Sequence, residues 1–233
     1  MYPILRREAF SETSFLWEIS APDVAESAEP GHFVMLRLYE GGERIPLTVA
    51  DFDRERGSVT IVVQALGKTT REMRDDYAEN DTIHDFVGPL GLPQHIDTVG
   101  HVALVGGGLG VAPVFPQLRA FKEAGNRTTA IMGFRNAGMV FWEDRLRRYA
   151  DTLTVCTDDG SYGRPGFVTA ALKELCESDP PDLVVAIGPL PMMQACAEVT
   201  RPFGIKTIVS LNTIMVDGTG MCGSCRVTVA GEV

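Results

Sequence analysis

The sequence predicts a small antiparallel β-barrel followed by an α/β domain with a parallel sheet, and the start of a third, cysteine-bearing region. Up to about residue 97, short runs of β-branched and aromatic residues alternate with polar residues at period two, with turn residues between the runs. From 98 to 210, apolar strand-like runs alternate with helical segments. From 211 to 233, glycines and a close pair of cysteines replace both patterns.

In the first domain, residues 1–97, short strands at regular spacing predict a barrel. A helical segment at 69–77 interrupts them, and turn residues such as those at 21–23 and 41–42 separate them. The strands are predicted at 14–20, 31–38, 47–52 and 58–65.

In the second domain, residues 98–210, the alternation of strands with helices predicts a parallel sheet. Helices are expected to stop at Gly125 and at Pro180-Pro181. Strands are predicted at 102–105, 128–133, 153–157, 183–187 and 208–211, and helices at 113–124, 142–149, 167–177 and 191–199.

The third region, residues 211–233, is predicted to begin a small iron–sulfur domain, for the reasons given below. A strand is predicted at 226–229, followed by a turn at 230–232. The sequence stops where a hairpin would enter its second strand, so we expect the natural protein to continue past Val233.

Charge and composition exclude several classes of protein. The net charge of −10 argues against a nucleic-acid partner, because phosphate binding needs clustered Lys and Arg. The sequence has no apolar run of membrane-spanning length and no signal-peptide core at its start, so it predicts a cytoplasmic protein without a membrane partner. Cys156, Cys176 and Cys196 lie in apolar contexts and are predicted to be buried free thiols.

A glycine-rich turn after the first strand of the second domain predicts a nucleotide site. The pattern is Gly108-x-Gly110-x-Ala-Pro113, and a helix starting there would direct its free N–H groups at a phosphate. The usual dinucleotide fingerprint is only partly met, since Val111 replaces its third glycine and Asn126, not an acidic residue, lies about where the ribose-binding acid is expected. A glycine turn without a ligand is the alternative.

The barrel carries Arg44-Ile-Pro46-Leu47-Thr48. Arginine offers charged donors to a diphosphate, and a threonine hydroxyl at this position can reach a flavin ring. The alternative is a surface arginine at the start of an edge strand.

A second candidate phosphate site is Gly67-Lys68-Thr69-Thr70, which precedes the predicted helix at 69–77. It combines glycine, a cation and two hydroxyls at a helix N-terminus. The alternative is an ordinary helix cap, in which Thr69 or Thr70 satisfies free backbone amides.

These motifs, together with Gly88-Pro-Leu-Gly91 between them, occur in an order that resembles the ferredoxin-NADP reductase superfamily over nearly the whole chain. The resemblance implies a flavin-binding barrel followed by a nicotinamide-nucleotide domain. It implies that FAD is held at its ring and nearby phosphate by Arg44, Pro46, Leu47 and Thr48, and at its diphosphate by Gly67, Lys68, Thr69 and Thr70. It also implies that Gly108 and Gly110 admit the nicotinamide nucleotide beside the flavin.

Two carboxylates bear on the choice of nucleotide. Asp158 and Asp159 follow a strand where the adenosine ribose lies in such folds; they can accept ribose hydroxyls and would repel a 2′-phosphate. Arg135 is the opposing signal, and the balance favours NADH over NADPH. The loop at 188–193 resembles the one that closes over the nicotinamide, and its two methionines could equally belong to a helix core.

The third region carries Asp217-x4-Cys222-x2-Cys225. It resembles the Cys-x4-Cys-x2-Cys loop that wraps a [2Fe-2S] cluster, with Asp in the first ligand position. A carboxylate is an anionic but harder ligand than thiolate. Half a zinc site and a redox cysteine pair are the alternatives. The fourth ligand is expected beyond Val233, so the sequence as given predicts incomplete ligation.

The sequence around Asp217 resembles one branch of the superfamily, the small (alpha) subunits of NADH-dependent reduced ferredoxin:NADP oxidoreductases, also called sulfide dehydrogenase subunits. The electron-transfer subunits of dihydroorotate dehydrogenase are a related family with Cys at that position. The resemblance implies hydride transfer from NADH to FAD and single-electron transfer through a [2Fe-2S] cluster. The acceptor would be a larger partner subunit with its own flavin and iron–sulfur clusters, and through it ferredoxin.

Two alternatives to that function remain open. One is a dihydroorotate dehydrogenase electron-transfer subunit, and the other is a non-catalytic flavin-bearing docking or sensing module. Hydride transfer from NADH to FAD needs no protein nucleophile or acid–base pair, because the flavin performs the chemistry.

Overall fold

The computed structural model describes residues 1–211, 214–229 and 231–232, and these divide into two units. Unit 1 comprises Met1–Ala9, Thr13–Gln94 and Leu211–Val233, and unit 2 comprises Phe10–Glu12 and His95–Ser210. The predicted domain boundaries at 97/98 and 210/211 stay predictions. Four residues of the predicted third region lie outside the described part of the chain: Asn212, Thr213, Ala230 and Val233.

Unit 1 is a nearly closed antiparallel barrel, as predicted. Its strands are β1 Tyr2–Ala9, β2 Ser14–Ser20, β3 Phe33–Arg37, β4 Arg44–Asp53, β5 Ser58–Gln64, β6 Thr82–Ile83 and β7 Asp85–Leu90. They follow the order β6-β1-β2-β5-β4-β3-β7, and every neighbouring pair is antiparallel. Register shifts occur in β1, β4 and β7, where extra residues bend the strands, as closing a small barrel requires.

The barrel core consists of large apolar side chains. They stand at alternate positions of the strands and therefore point to the inside of the barrel. Trp17, Leu36, Ile61 and Phe86 are almost fully buried in it. Two helices cover the barrel's connections, α1 Pro22–Ser27 and α2 Lys68–Asp75. The sequence analysis treats residues 21–23 as a turn, but Pro22 instead occupies the first turn of α1, where its missing N–H costs nothing.

Unit 2 is a parallel sheet with helices between its strands, again as predicted. The strands are β8 His101–Gly107, β9 Arg127–Phe134, β10 Thr152–Thr157, β11 Arg164–Pro165, β12 Leu183–Ile187 and β13 Lys206–Val209. The helices are α3 Val111–Glu123, α4 Glu143–Arg147, α5 Val168–Ser178 and α6 Leu190–Thr200. The order is β11-β10-β9-β8-β12-β13, and all pairs are parallel.

Strand β8 lies at the centre of this sheet, and the chain leaves it toward β9 on one side and returns to β12 on the other. Ala103 and Val105 of β8 pack with α5 and α6, while α3 packs against the strands from the opposite face. Because the strand order reverses between β8 and β12, a crevice is expected outside their carboxyl ends, where ligands bind in open α/β sheets.

The structure corrects one strand boundary, adds strand β1 and removes one predicted strand. Strand β4 begins at Arg44, before the predicted residue 47, so the whole arginine motif is on a strand, and β1 was not predicted as an individual strand. The predicted strand at 226–229 is wrong. Among the described residues, Val229 makes only a single bridge to Glu232, and a strand cannot form without a longer partner. In the part of the chain described above, no helix is long and apolar enough to cross a membrane.

Candidate functional site

Strand β4 presents the arginine motif on its outer side. Ile45 and Leu47 pack against the barrel core, whereas Arg44 and Thr48 are exposed and Pro46 is half-buried. Successive side chains of a strand point to opposite faces, so Arg44, Pro46 and Thr48 share the face away from the core. The predicted flavin residue Leu47 therefore has its side chain on the other face.

The neighbouring strand β3 extends this surface. Its register with β4 places Phe33 opposite Thr48, Met35 opposite Pro46 and Arg37 opposite Arg44. Directly opposite residues of an antiparallel pair lie on the same side of the sheet. We call this surface the outer face, and it consists of Phe33, Met35, Arg37, Arg44, Pro46 and Thr48.

One end of the outer face is electrostatically organised around Asp85 of β7. Arg37 donates to its carboxylate at 2.7 Å, and Arg44 approaches the same oxygen at 3.4 Å. Burial acts to raise the pKa of Asp85, but hydrogen bonding to His84 and the charge of Arg37 outweigh it and hold that pKa below its usual value. The Arg44 side chain is still 57% exposed, so most of its donors face solvent. This end of the face can bind an anionic group.

The beginning of helix α2 supplies a second element with free donors. Its N-cap residue is Gly67, which has no side chain to cap the first backbone amides. The Thr70 hydroxyl instead accepts the N–H groups of Leu66 and Gly67, both at 3.0 Å. Lys68 lies in the first turn with 81% of its side chain exposed. Uncapped amides and a nearby cation at a helix start suit a phosphate.

A hydrogen bond brings these two elements together. The Thr69 hydroxyl donates to Glu43 Oε2 at 2.5 Å, and Glu43 immediately precedes Arg44. Thr69 is buried, so its hydroxyl holds α2 against the start of β4. Of the four residues predicted at the diphosphate, both threonine hydroxyls bond within the protein and Gly67 donates its N–H to Thr70. Lys68 lies 3.7 Å from Glu72 but keeps most of its side chain exposed. The sequence analysis missed Glu43, for which no local signal exists.

In unit 2, the glycine turn follows β8 as predicted. Gly108–Gly110 form one 3-10 turn, and α3 begins at Val111, two residues before Pro113. A Cβ at Gly110 would lie 2.3 Å from the carbonyl oxygen of Ile187, which ends β12. Only glycine permits this approach, and it places the turn at the switch point between β8 and β12.

The start of helix α6 packs onto the same turn. A Cβ at Gly107 would lie 2.3 Å from the sulfur of Met192. Met193 is buried in the core of unit 2, and Met192 is half-buried against that core. Gly107 and Met192 thus line one side of the turn that the sequence predicts to receive the nicotinamide nucleotide.

The two aspartates after β10 have different surroundings. Asp159 accepts the backbone N–H of Ser161 at 2.9 Å and its hydroxyl at 2.6 Å, and these bonds hold the pKa of Asp159 below its usual value. The Ser161 hydroxyl oxygen also accepts the backbone N–H of Ala137 at 2.8 Å. Asp159 therefore shapes the loop, while the exposed carboxylate of Asp158 remains at the end of the strand. The Asp-x-Ser pattern was a signal for this turn that the sequence analysis did not use.

In the third region, Asp217 organises its own loop. Its carboxylate accepts the backbone N–H of Thr219 and that of Cys222, each at 2.9 Å. The bond from Thr219 is the main reason that the pKa of Asp217 lies below its usual value. The pKa of Cys222 is also lowered, chiefly because the Ser224 hydroxyl stabilises its thiolate. Both residues thus favour the anionic forms that metal ligation needs.

The predicted cluster ligands are not gathered into a metal site. Across residues 1–211, 214–229 and 231–232, no group of three or more His, Cys, Asp or Glu side chains is arranged to hold a metal ion. The donor types of Asp217, Cys222 and Cys225 fit an iron–sulfur cluster, but their arrangement here does not.

The remaining cysteines and one histidine belong to the core of unit 2. Cys156, Cys176 and Cys196 are buried free thiols, as predicted, and burial raises the pKa of Cys196 to about 12. His101 is buried, with Nε2 2.8 Å from the hydroxyl of Thr129. These groups lie outside the candidate sites.

Comparison with known proteins agrees with this architecture. The oxidoreductase NAD-binding domain family matches residues 104–198. A protein of Thermotoga maritima described as a homolog of the dihydroorotate dehydrogenase B electron transfer subunit is 47% identical over 99% of this chain and 81% of its own length. The electron transfer subunit of Fusobacterium nucleatum is 31% identical over 92% and 84% of the two lengths. The solved structure of an NADH-dependent reduced ferredoxin-NADP oxidoreductase, from work on flavin-based electron bifurcation, has a TM-score of 0.93 at 46% identity, covering 100% of this chain and 83% of the other.

Proposed function

Since this chain belongs to the family of dihydroorotate dehydrogenase B electron transfer subunits and their homologues, within the ferredoxin-NADP reductase superfamily, we propose that it oxidises NADH with a bound FAD and delivers single electrons to a larger partner subunit. The whole assembly is proposed to be of the NADH-dependent reduced ferredoxin:NADP oxidoreductase type.

The observation that carries this proposal is the pairing of the outer face with the start of α2. Arg44 presents exposed donors, α2 begins with uncapped amides, and the Thr69–Glu43 hydrogen bond holds the two together. A flavin nucleotide needs an anion-binding group for its phosphates and a flat surface with a hydroxyl for its ring. Pro46 and Thr48 supply that surface. When bound, FAD would accept a hydride and release electrons one at a time.

The chain's own residues bind and orient the reactants. Gly108 and Gly110 keep the carboxyl end of β8 free of side chains, so that a nicotinamide nucleotide can approach the backbone closely. Met192 packs beside that turn, against Gly107. Proximity and orientation are the main contributions expected of the protein in such a reaction.

The preference for NADH is assigned to Asp158. Its carboxylate is exposed at the carboxyl end of β10, where it can accept hydrogen bonds from ribose hydroxyls and repel a 2′-phosphate. Asp159 keeps the loop in shape through Ser161.

The third region is proposed to bind a [2Fe-2S] cluster through Asp217, Cys222 and Cys225 in the complete protein, a group that carries single electrons when bound. The donor types and the lowered pKa of Cys222 support this proposal, and the arrangement described above does not. We therefore derive no step through it.

Sequence identity to the relatives bears on which larger subunit is the partner of this chain. The ferredoxin-NADP oxidoreductase structure is 46% identical to this chain, whereas the Fusobacterium electron transfer subunit is 31% identical. The Thermotoga relative at 47% is described as a homolog of the dihydroorotate-linked subunit. Because this identity is as high as that of the oxidoreductase structure, a dihydroorotate dehydrogenase electron transfer subunit remains the second candidate.

An anaerobic titration tests the proposal. The purified chain is loaded with FAD, freed of excess flavin, and titrated with NADH and separately with NADPH while the flavin absorbance is followed. We expect NADH to bleach the flavin at a lower concentration than NADPH. Failure to retain FAD would contradict the proposed flavin site on the barrel, and retained flavin that neither nucleotide reduces would favour a docking or sensing module.

Assays with partners separate the two enzyme candidates. The reduced chain is mixed with the larger subunit of a ferredoxin-NADP oxidoreductase or with the catalytic subunit of a dihydroorotate dehydrogenase B. Electron delivery to the first alone supports the proposal. Delivery to the second alone overturns the choice of partner while leaving NADH oxidation intact.

A further inference from the structure

Strand β3 contributes two outward side chains, Phe33 and Met35, that belong to none of the predicted motifs. Val34 and Leu36 of the same strand lie in the barrel core, so Phe33 and Met35 point the other way. Met35 is nevertheless only 3% exposed. Another part of the chain must therefore cover it from outside the barrel.

The segment that covers Met35 is the cysteine loop, residues 217–226. A Cβ at Gly218 would lie 2.7 Å from Cγ of Met35, 2.9 Å from its sulfur and 3.5 Å from Cε2 of Phe33. Gly218 also has a φ of +75°, which side chains other than glycine rarely adopt. The loop backbone thus rests directly on the two side chains at a distance that only glycine allows.

The ring of Phe33 touches a second motif at its other edge. A Cβ at Gly91 would lie 3.0 Å from Cε1 of Phe33 and 3.1 Å from its Cδ1. Thr48 lies opposite Phe33 in the register of β3 and β4. Phe33 is therefore the place where the arginine motif, the Gly88–Gly91 motif and the cysteine loop meet, although they are far apart in the sequence.

We propose that Phe33 and Met35 are positioning residues that seat the cysteine loop on the outer face, beside the side chains proposed to hold the flavin. The flexible thioether of Met35 fills the space under Gly218, and the flat ring of Phe33 separates the loop from Gly91. Because Phe33 and Met35 hold the cysteine loop in place, they fix the distance between its thiols and the flavin. That last consequence rests on the proposed function, whereas the seating itself does not.

Hydrogen exchange of the full chain, measured by mass spectrometry, tests the seating. The reporters are the amides of Thr219 and Cys222, which donate to Asp217 within the loop. Met35→Ala removes the contact without altering the loop, and we expect the exchange of the loop to accelerate about tenfold. Met35→Leu keeps an apolar side chain of similar size and should restore slow exchange.

Two glycines of the loop provide a matched pair of variants. Gly218→Ala and Gly220→Ala both place a side chain at a left-handed φ, of +75° and +84°. A Cβ would collide with Met35 at Gly218, but would find no atom within 4 Å at Gly220. We expect the Gly218 variant to exchange faster than the Gly220 variant by about tenfold. Equal exchange in the two, with Met35→Ala like the wild type, would overturn the seating.

A spectroscopic readout connects the loop to the flavin. Because Cys156, Cys176 and Cys196 are buried, a bimane label on a Cys225→Ser chain goes to Cys222. Flavin absorbs bimane emission, so we expect FAD to quench the label in the wild-type background and in Met35→Leu. At saturating FAD, quenching should fall at least twofold in Met35→Ala.

The outcomes separate this inference from the proposed function. Faster loop exchange in Met35→Ala in a chain that binds no FAD would support the seating and contradict the proposed function. Normal FAD binding with equal quenching in all Met35 variants would overturn the positioning role and leave the proposed function standing. Far-ultraviolet circular dichroism verifies that each variant is folded.

Discussion

The two candidate sites are built in opposite ways. In unit 1, the outer face is made of side chains that stand at alternate positions of two strands, among them Arg44 and Thr48. In unit 2, the turn at Gly108–Gly110 is made of backbone that approaches other backbone so closely that no side chain fits at Gly110. A change on the outer face can therefore remove binding and leave the fold intact. A change in the glycine turn is expected to damage both together.

The largest effect is expected from Gly110→Ala. Its Cβ would lie 2.3 Å from the carbonyl oxygen of Ile187 and 2.7 Å from the carbonyl carbon, so backbone would have to move. We expect a loss of about 3 kcal/mol in the free energy of unfolding, together with loss of NADH binding. Urea denaturation and an NADH titration measure the two effects.

Gly108→Ala is the matched control for that variant. Gly108 has a φ of +54° but no atom within 4 Å of its Cβ position. The cost is then limited to the left-handed backbone conformation, about 1 kcal/mol. Similar losses of stability in the two variants would show that close backbone approach is not what sets the turn.

A second pair of variants breaks the outer face without touching the turn. Leu47 packs against the barrel core, so Leu47→Ala should lower the free energy of unfolding by about 2 kcal/mol. Thr48 is exposed, so Thr48→Val should leave stability within about 0.5 kcal/mol of the wild type. The lost hydroxyl should weaken FAD binding by about tenfold, measured by equilibrium dialysis.

The same pair tests the assignment of Leu47 to the flavin site. If Leu47→Ala weakens FAD binding more than Thr48→Val at a concentration of urea where both are folded, the alternation of side chains does not define the site. The sequence alone groups the two residues together. The structure separates them, because Leu47 faces the core and Thr48 faces outward.

The fold was predictable because its signals are local. Period-two runs indicated the barrel, the alternation of strands and helices indicated the parallel sheet, and the burst of glycine indicated the turn after β8. Each of these depends on neighbours within a few residues. Short elements such as α1 were not predicted, because a proline-containing turn and the first turn of a helix have similar sequences.

The candidate site was predictable only in part, because its residues meet through register. Nothing near Phe33 in the sequence indicates that it lies opposite Thr48 and against Gly91 and Gly218. Those contacts follow from hydrogen bonding between strands and from the register shift between β3 and β7, where β7 carries the extra residue. In the same way, Glu43 becomes the partner of Thr69 only once α2 folds against β4.

The smallest effect is expected at Asp158 and Asp159, the two positions where unit 2 is proposed to recognise the nucleotide through side chains. Asp158→Asn removes the charge facing a 2′-phosphate, and we expect the preference for NADH over NADPH to fall by about tenfold in flavin-reduction titrations. Asp159→Asn weakens the bonds to Ser161 that shape the loop. It should weaken binding of both nucleotides by a similar, smaller factor. A change of preference in Asp159→Asn without one in Asp158→Asn would reverse the two roles, and would mean that the loop releases Asp159 from Ser161 when a nucleotide binds.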